Sequence, residues 1–380
     1  MDWTMNNESL LVGIGYNAYD PISGTRDERE SEESVEQVAQ DVYACITSVG
    51  YNSVLLPLGK SLMSFVRRMN NLKVDVLINL CEGYLGRPQF EANVAGVFEI
   101  LGIPFTGSNS RALSLCQDKF KSKAILNAYG LPTARGRLIS SADQAVELSF
   151  PLIVKPNAED ASLGIKSDSV VHDVKHLSEK VKTVIDKYHQ PALVEEFIEG
   201  REFNVAVLDN DRLQALPVSE IDFSGMPDNV PRICSYEAKW FEDHILYLTT
   251  PPVCPARIEE SLRERLQQLA VAAFQVMGCR DYARVDFRMG KDGRIYILEV
   301  NPNPDISLDA GYARALKTAG IAYHEFWGSL IERASARKER PWFSPDYGWD
   351  TSAMGLDMET FWQHVFENAW RRKEKRWYGQ

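Results

Sequence analysis

Two segments in the second half of the chain set polar side chains among strand-like apolar residues. In Ala283-Arg284-Val285-Asp286-Phe287, Arg284 and Asp286 alternate with apolar neighbours, so both belong on one face of a strand. In the stretch from Ile295 to Pro302, Glu299 and Asn301 do the same. A turn between Gly290 and Gly293 would pair the two strands and gather Asp286, Glu299 and Asn301. Oxygen donors on rigid strands, with no Cys or His nearby, suit a hard cation. Mg²⁺ fits best, since it commonly takes one or two carboxylates and fills its other positions with water and phosphate. The other reading is structural: a buried ion pair of Arg284 with Glu299 inside a sheet.

A lysine closes another apolar run, Ile153-Val154-Lys155-Pro156. Burying its ammonium is expensive unless an anion pairs with it. The segment from Asn157 through Ser162 to Ile165 is mostly small and polar around Gly164. Such a loop can lay backbone N–H groups on phosphate. It is neither a Walker A sequence nor a GxGxxG, and on its own a plain turn is the simpler reading.

The elements that must position these residues follow from periodicity. Residues 10–16, 53–58, 74–80 and 103–106 read as strands, and 35–49, 61–69 and 91–101 carry helical spacing. That alternation predicts βαβ units and a mostly parallel sheet, an α/β domain ending near Cys116. Residues 118–129 read as a helix closed by Gly130, with Pro132 beyond it. The remainder reads as α+β: short strands at 152–155, 192–197, 203–208, 213–218, 286–289 and 295–300, with helices at 174–188 and 258–277. Gly and Pro mark long loops at 225–231 and 251–255, of the kind that serve as lids. Far down the chain, Phe361, Val365, Phe366, Ala369 and Trp370 recur at helical spacing after a cap at Asp357, a helix expected to pack on the body.

Lys plus Arg total 42 against 53 Asp plus Glu, a net charge of −11, which argues against nucleic acid or an anionic membrane as a partner. No stretch approaches the apolar length of a membrane span. The six cysteines lie apart without metal-ligand spacing and read as reduced thiols, so a soluble cytoplasmic protein is expected.

Taken in order, these pieces resemble the ATP-grasp superfamily over residues 77–326, in the branch that looks like D-alanine–D-alanine ligase. The resemblance rests on Glu99 to Ser108, Gln117 to Lys123, Lys155-Pro156, Val194 to Phe203, Tyr236 to Trp240, Ala283 to Phe287 and Leu298 to Pro302. It implies an ATP-grasp fold, α/β and α+β, in three lobes. These are an N-terminal parallel-sheet domain at 1–116, a central lobe at 117–202 and a C-terminal lobe at 203–336, before an aromatic extension at 337–380. ATP would lie between the central and C-terminal lobes. The resemblance places Lys119 and Lys155 on the nucleotide phosphates, Glu195 with Phe197 and Ile198 at the adenine, and Glu202 at the ribose. It puts Ser162 and its loop over the phosphates, where Ala161 stands in place of a usual Gly or Ser. Asp286, Glu299 and Asn301 match ligands of Mg²⁺, for which Mn²⁺ can substitute. Arg284 matches an arginine facing an acyl phosphate, and Lys239 a residue of a loop that folds over the site. Homodimerisation is common in the resembled family.

The activity implied is ATP-dependent carboxylate–amine ligation. A carboxylate is phosphorylated by ATP, an amine attacks the acyl phosphate, and ADP and phosphate leave. The substrate-facing positions depart from D-alanine–D-alanine ligase. A usual His-Gly segment is replaced by Asn79-Leu80-Cys81-Glu82-Gly83, and the N-terminal Glu-Val-Ser has only a loose counterpart at Glu33. Beyond the metal residues, Ser307 is a partial substitute for an acceptor-binding serine, while Asp305 and Asp309 would attract a cationic amine. Those departures favour a specialised dipeptide or other peptide natural product. The alternatives are D-alanine–D-alanine ligase of cell-wall synthesis and a non-catalytic ATP-binding protein.

Overall fold

The structure, a computed structural model, describes residues 10–18 and 26–337; within the first helix, side chains are described from Val35 onward. The expected helix at 357–370 and the rest of the C-terminal extension beyond 337 lie outside these residues.

The chain opens with β1 (Leu11–Asn17), α1 (Arg26–Ser48), β2 (Asn52–Leu58), α2 (Leu62–Leu72), β3 (Val76–Leu80) and α3 (Glu91–Ile100). The three strands form a parallel sheet in the order β2-β1-β3. Alternate residues Val12, Ile14 and Tyr16 of β1 enter one core with Val38, Val42 and Ile46 of α1. On the opposite face β1 carries Gly13 and Gly15, and a Cβ on Gly13 would lie 2.6 Å from Leu56 Cδ1. Glycine here leaves room for the side chains of Leu56, Val74 and Leu77 to close over β1. α1 starts well before its first apolar-spaced residue, because the Glu-rich run from Asp27 to Glu33 is a good helix former. The expected strand at 103–106 is only a single parallel bridge of Phe105 with Leu77. Pro104 has no N–H to give, and Gly102 and Gly107 turn the chain at positive φ on either side.

α4 (Ser110–Gln117) leads to α5 (Lys119–Ala128), whose N-cap Asp118 accepts from the Lys121 N–H at 3.0 Å. Then come β4 (Gly136–Ile139), β5 (Leu152–Pro156), β6 (Val170–Val171), α6 (Val174–Tyr188) and β7 (Ala192–Glu196). These strands make an antiparallel sheet in the order β4-β7-β5-β6, with its own core of Leu152, Val154, Leu177, Val181 and Val194.

The third sheet takes β8 (Gly200–Asp209), β9 (Leu213–Ala215), β10 (Ser219–Ile221), β11 (Pro252–Val253), β12 (Tyr282–Gly290) and β13 (Ile295–Asn301). Its order is β11-β10-β8-β12-β13, with β9 on β8. Between β10 and β11 run two short helices, α7 (Tyr236–Trp240) and α8 (Ile245–Leu248); α9 (Glu260–Val276) then packs Leu266, Ala270 and Phe274 on Phe203, Val285 and Phe287. β8 begins at Gly200, so Glu202 stands in this sheet. After α10 (Gly311–Thr318), α11 (Tyr323–Ala336) returns to the first sheet, where Trp327, Leu330 and Ile331 share a core with Ile78 and Leu80. Asp281 reinforces that join. It is fully buried and accepts from the Gly107 N–H at 2.8 Å and from Arg337 at 2.6 and 2.8 Å.

Candidate active site

β12 and β13 pair antiparallel, setting Arg284 opposite Asn301 and Asp286 opposite Glu299. Past Asp286 the register shifts: Phe287 faces Ile297, leaving Leu298 as a bulge residue in β13. The bulge changes the parity of β13, so Ile297 and Val300 both reach the core while Glu299 and Asn301 stay on the polar face. Asp286 accepts from Arg284 Nε and Nη2 at 2.8 Å each, from Asn204 at 2.8 Å and from Asn301 at 3.0 Å. Arg284 thus pairs with Asp286 in a two-pronged bond, not with Glu299 as the structural reading had it. Glu299 instead meets Lys119 Nζ at 3.2 Å. Burial pushes the Glu299 carboxyl up, but Lys119, Lys155 and Arg284 outweigh it and hold the group at about 2. The same exchange keeps Lys119 and Arg284 charged: burial works against each cation, and facing carboxylates raise both above their ordinary values.

Among the described residues no three His, Cys, Asp or Glu side chains gather as a metal cluster. The expected set is two carboxylates and an amide on paired strands; Asn301 turns its amide N–H toward Asp286 and Glu299, which leaves its oxygen as the third donor. It fits a hard cation that completes its shell with water and phosphate.

Two lysines of the central lobe converge on one carboxylate. Glu195, 1% exposed, accepts from Lys155 at 2.8 Å and from Lys123. Burial raises the Glu195 carboxyl, yet the two ammoniums hold it below its usual value. Next to it the backbone turns from β7 into β8, with Phe197 N–H donating to the Pro151 carbonyl at 3.0 Å. Arg288 closes this corner. It donates to Glu202 at 3.0 Å, to the Ile198 carbonyl at 3.1 Å and to the Arg232 carbonyl at 2.7 Å, and it lies over the rings of Phe197 and Phe223.

The loop after β5 is strained and tied down. Ala161 and Ser162 both hold positive φ, 55° and 61°, where glycine would be at ease. Ser162 Oγ donates to the Cys234 carbonyl at 3.0 Å, Trp240 Nε1 to the Ala161 carbonyl at 3.0 Å, and Tyr236 N–H to the Ile165 carbonyl at 2.9 Å. Two loops from different sheets therefore form one cover. Lys239 lies over the Trp240 ring, 5.2 Å from its centre, and its charge reaches Glu82 across the cleft. Asp160, in the same loop as Ser162, meets Lys119 at 2.8 Å.

The facing wall, built from the segment after β3, the start of α3 and the loop after β13, is acidic. Water reaches the Glu82 side chain, yet protein crowds it closely enough that burial, then Asp305, pushes its carboxyl up to about 7. Glu91 accepts from Asn303 at 2.8 Å, and burial lifts its carboxyl to about 8. Asp305 is capped by Ser307, whose N–H and Oγ donate to it at 2.9 and 2.7 Å, and Asp309 is exposed. Glu33 falls on α1, but its side chain lies outside the described residues. Sequence reasoning missed Lys123, Asp160, Arg288 and Glu91. A lysine one turn after Lys119 was the available signal for Lys123; Glu91 reads as an ordinary first-turn carboxylate.

The three-sheet arrangement is that of an ATP-grasp protein. The fold overlays the D-alanine–D-alanine ligase of Bacillus anthracis, solved with ATP, at a TM-score of 0.68 and 22% identity, over 87% of this chain and 99% of that one. The family model described as D-ala D-ala ligase C-terminus matches residues 134–332. The D-alanine–D-alanine ligase A of Mesorhizobium japonicum is 31% identical over 87% of this chain and 92% of its own length. An uncharacterized protein, y4sG, of Sinorhizobium fredii is 33% identical over 79% of this chain and 88% of its own. The chain belongs to the D-alanine–D-alanine ligase family, ATP-grasp enzymes that form a carbon–nitrogen bond with release of ADP and phosphate. No helix among the described residues is long and apolar enough to cross a membrane.

Proposed function

We propose that this chain ligates a carboxylate to an amine, both from amino acids or amino-acid-like molecules, through an acyl phosphate made with ATP. The observation that carries the reading is the juxtaposition of Arg284, Asp286, Glu299 and Asn301 on one strand pair with Lys119 at its edge. A nucleotide-binding protein without chemistry has no use for Arg284 there. In this reading Lys119 and Lys155 hold the phosphates, Glu195 with Phe197 and Ile198 receives the base, and Glu202 the ribose. Asp286, Glu299 and Asn301 would hold Mg²⁺ or Mn²⁺, which when bound supplies charge neutralisation at the transferring phosphoryl group. Arg284 faces the acyl phosphate and stabilises the oxyanion that forms when the amine attacks. The joined loops of Ser162 and Lys239 keep water from the acyl phosphate. The division at 116 and 202 into three lobes belongs to the same proposal, the N-terminal one lending Glu82 to the substrate wall.

The relatives that carry a substrate name are D-alanine–D-alanine ligases. That favours D-alanine as donor and acceptor over the specialised dipeptide that the sequence alone preferred. One observation keeps the dipeptide reading in play: Glu82 and Asp305 stand close enough to raise a carboxyl, a wall suited to a substrate with an extra ammonium. ADP and phosphate release, with product mass, decides between them when D-alanine and then a panel of amino acids are supplied with ATP. Turnover on D-alanine alone assigns the first; turnover only on cationic amino acids assigns the second. No turnover on any pair while ATP still binds would end the ligase reading.

A further inference from the structure

Three groups at the base end of the nucleotide site are buried together: Lys123 (4% exposed), Lys155 (6%) and Glu195 (1%). Their formal charges are two positive and one negative, and Glu195 gives one oxygen to each lysine. α5 delivers Lys123 one helical turn after Lys119, which has its own partners in Asp160 and Glu299. Lys123 has no such set; its ammonium meets Glu195. Burial pulls that ammonium down to about 8, with Glu195 working the other way, so at neutral pH it is still mostly charged. Were Lys123 neutral, Lys155 and Glu195 would cancel one another, and a cancelled ammonium attracts phosphate weakly.

We propose that Lys123 is a positioning residue: it gives Glu195 a counter-charge of its own, which fixes that carboxylate at the base and leaves Lys155 with surplus charge for phosphate. The inference rests on the ATP-binding reading above. A second feature makes it testable. A cavity of about 270 Å³ lies between α5 and the β4–β7 edge, lined by Lys123 and Glu195 together with Phe120, Asn127, Arg135 and Leu193. It runs up to the ion pair at Lys123, and truncating that side chain enlarges it.

The full chain is titrated with MgADP, so that affinity is read without ligation. Lys123→Ala should bind MgADP about tenfold more weakly than the wild type, and Lys123→Arg should stay within about threefold. Methylammonium or ethylammonium at tens of millimolar should restore most of the affinity of Lys123→Ala by occupying the vacated space, while tetramethylammonium, which cannot donate a hydrogen bond, should not. Wild-type affinity in Lys123→Ala overturns the inference. So does a loss that neither Lys123→Arg nor the small amines repair, since that marks a packing role. If the wild type itself fails to bind MgADP, the proposed function falls and this inference with it; if the wild type binds and turns over ATP while the Lys123 variants match it, only this inference falls.

Discussion

The two walls of the cleft treat their charges in opposite ways. On the wall made by β7, β8, β12 and β13 each of four carboxylates has a cation at hydrogen-bond distance: Asp286 has Arg284, Glu299 has Lys119, Glu195 has two lysines, Glu202 has Arg288. Their environment is set before any ligand arrives, and the carboxyl of Glu299 is held at about 2. On the facing wall, burial and neighbouring acids push Glu82 to about 7 and Glu91 to about 8. The first pattern is a preorganised electrostatic frame, whose value lies in needing no rearrangement at the moment of reaction. The second is a set of acids that a cation or a proton would stabilise. Under the proposed function, the frame serves a constant ligand and the opposite wall is where substrate choice resides.

Three experiments break or sharpen that contrast. Arg284→Met removes the cation nearest Asp286 and should lower ligation by roughly a hundred- to a thousandfold. MgADP affinity should change only a few-fold, and an equal loss in both would mean that Arg284 merely holds the frame together. Asp160→Asn removes the carboxylate that sits on Lys119 from the lid loop, 45% exposed against 4% for the lysine. MgADP should then bind about two- to fivefold more tightly, because that contact need not be displaced; weaker binding would make Asp160 part of the nucleotide site.

The smallest effect concerns Glu91. Its carboxyl is raised in the folded state from 4.5 to about 8, so between those values the folded protein binds more protons than the unfolded chain. Stability therefore falls as pH rises through that window. Glu91→Gln should melt roughly 2 °C higher than the wild type at pH 8.5 and at the same temperature at pH 4.5, as followed by circular dichroism. A variant less stable at both pH values would show that the Asn303 contact outweighs the buried charge.

Much of the frame was legible in the sequence: alternation puts Arg284 with Asp286 on one strand and Glu299 with Asn301 on another, and a turn at Gly290–Gly293 would bring the two pairs together. The bulge at Leu298 was not legible: it depends on pairing, and it let Ile297 and Val300 both be buried against a simple period of two. Lys123 and Glu195 are 72 residues apart, and Glu91 and Asn303 are 212 apart. Such partners meet only when sheets pack, and each residue alone reads as an ordinary helix lysine or first-turn glutamate. The alternation also overcalled a strand at 103–106, where Pro104 and flanking glycines leave a single bridge. α11 escaped notice for a related reason: its buried ring-bearing face, Phe326 and Trp327, is matched to a sheet at the other end of the chain.

That return of α11 has a mechanical meaning. Hydrocarbon from the first and third sheets merges into a single body, cross-stitched at Asp281 by Arg337, whereas Leu152, Val154, Leu177 and Val194 are sealed within the middle sheet alone. The molecule is thus built as two bodies: the piece from β4 to β7 carries a core of its own, while one shared core ties the strand of Arg284 to the sheet that carries Glu82.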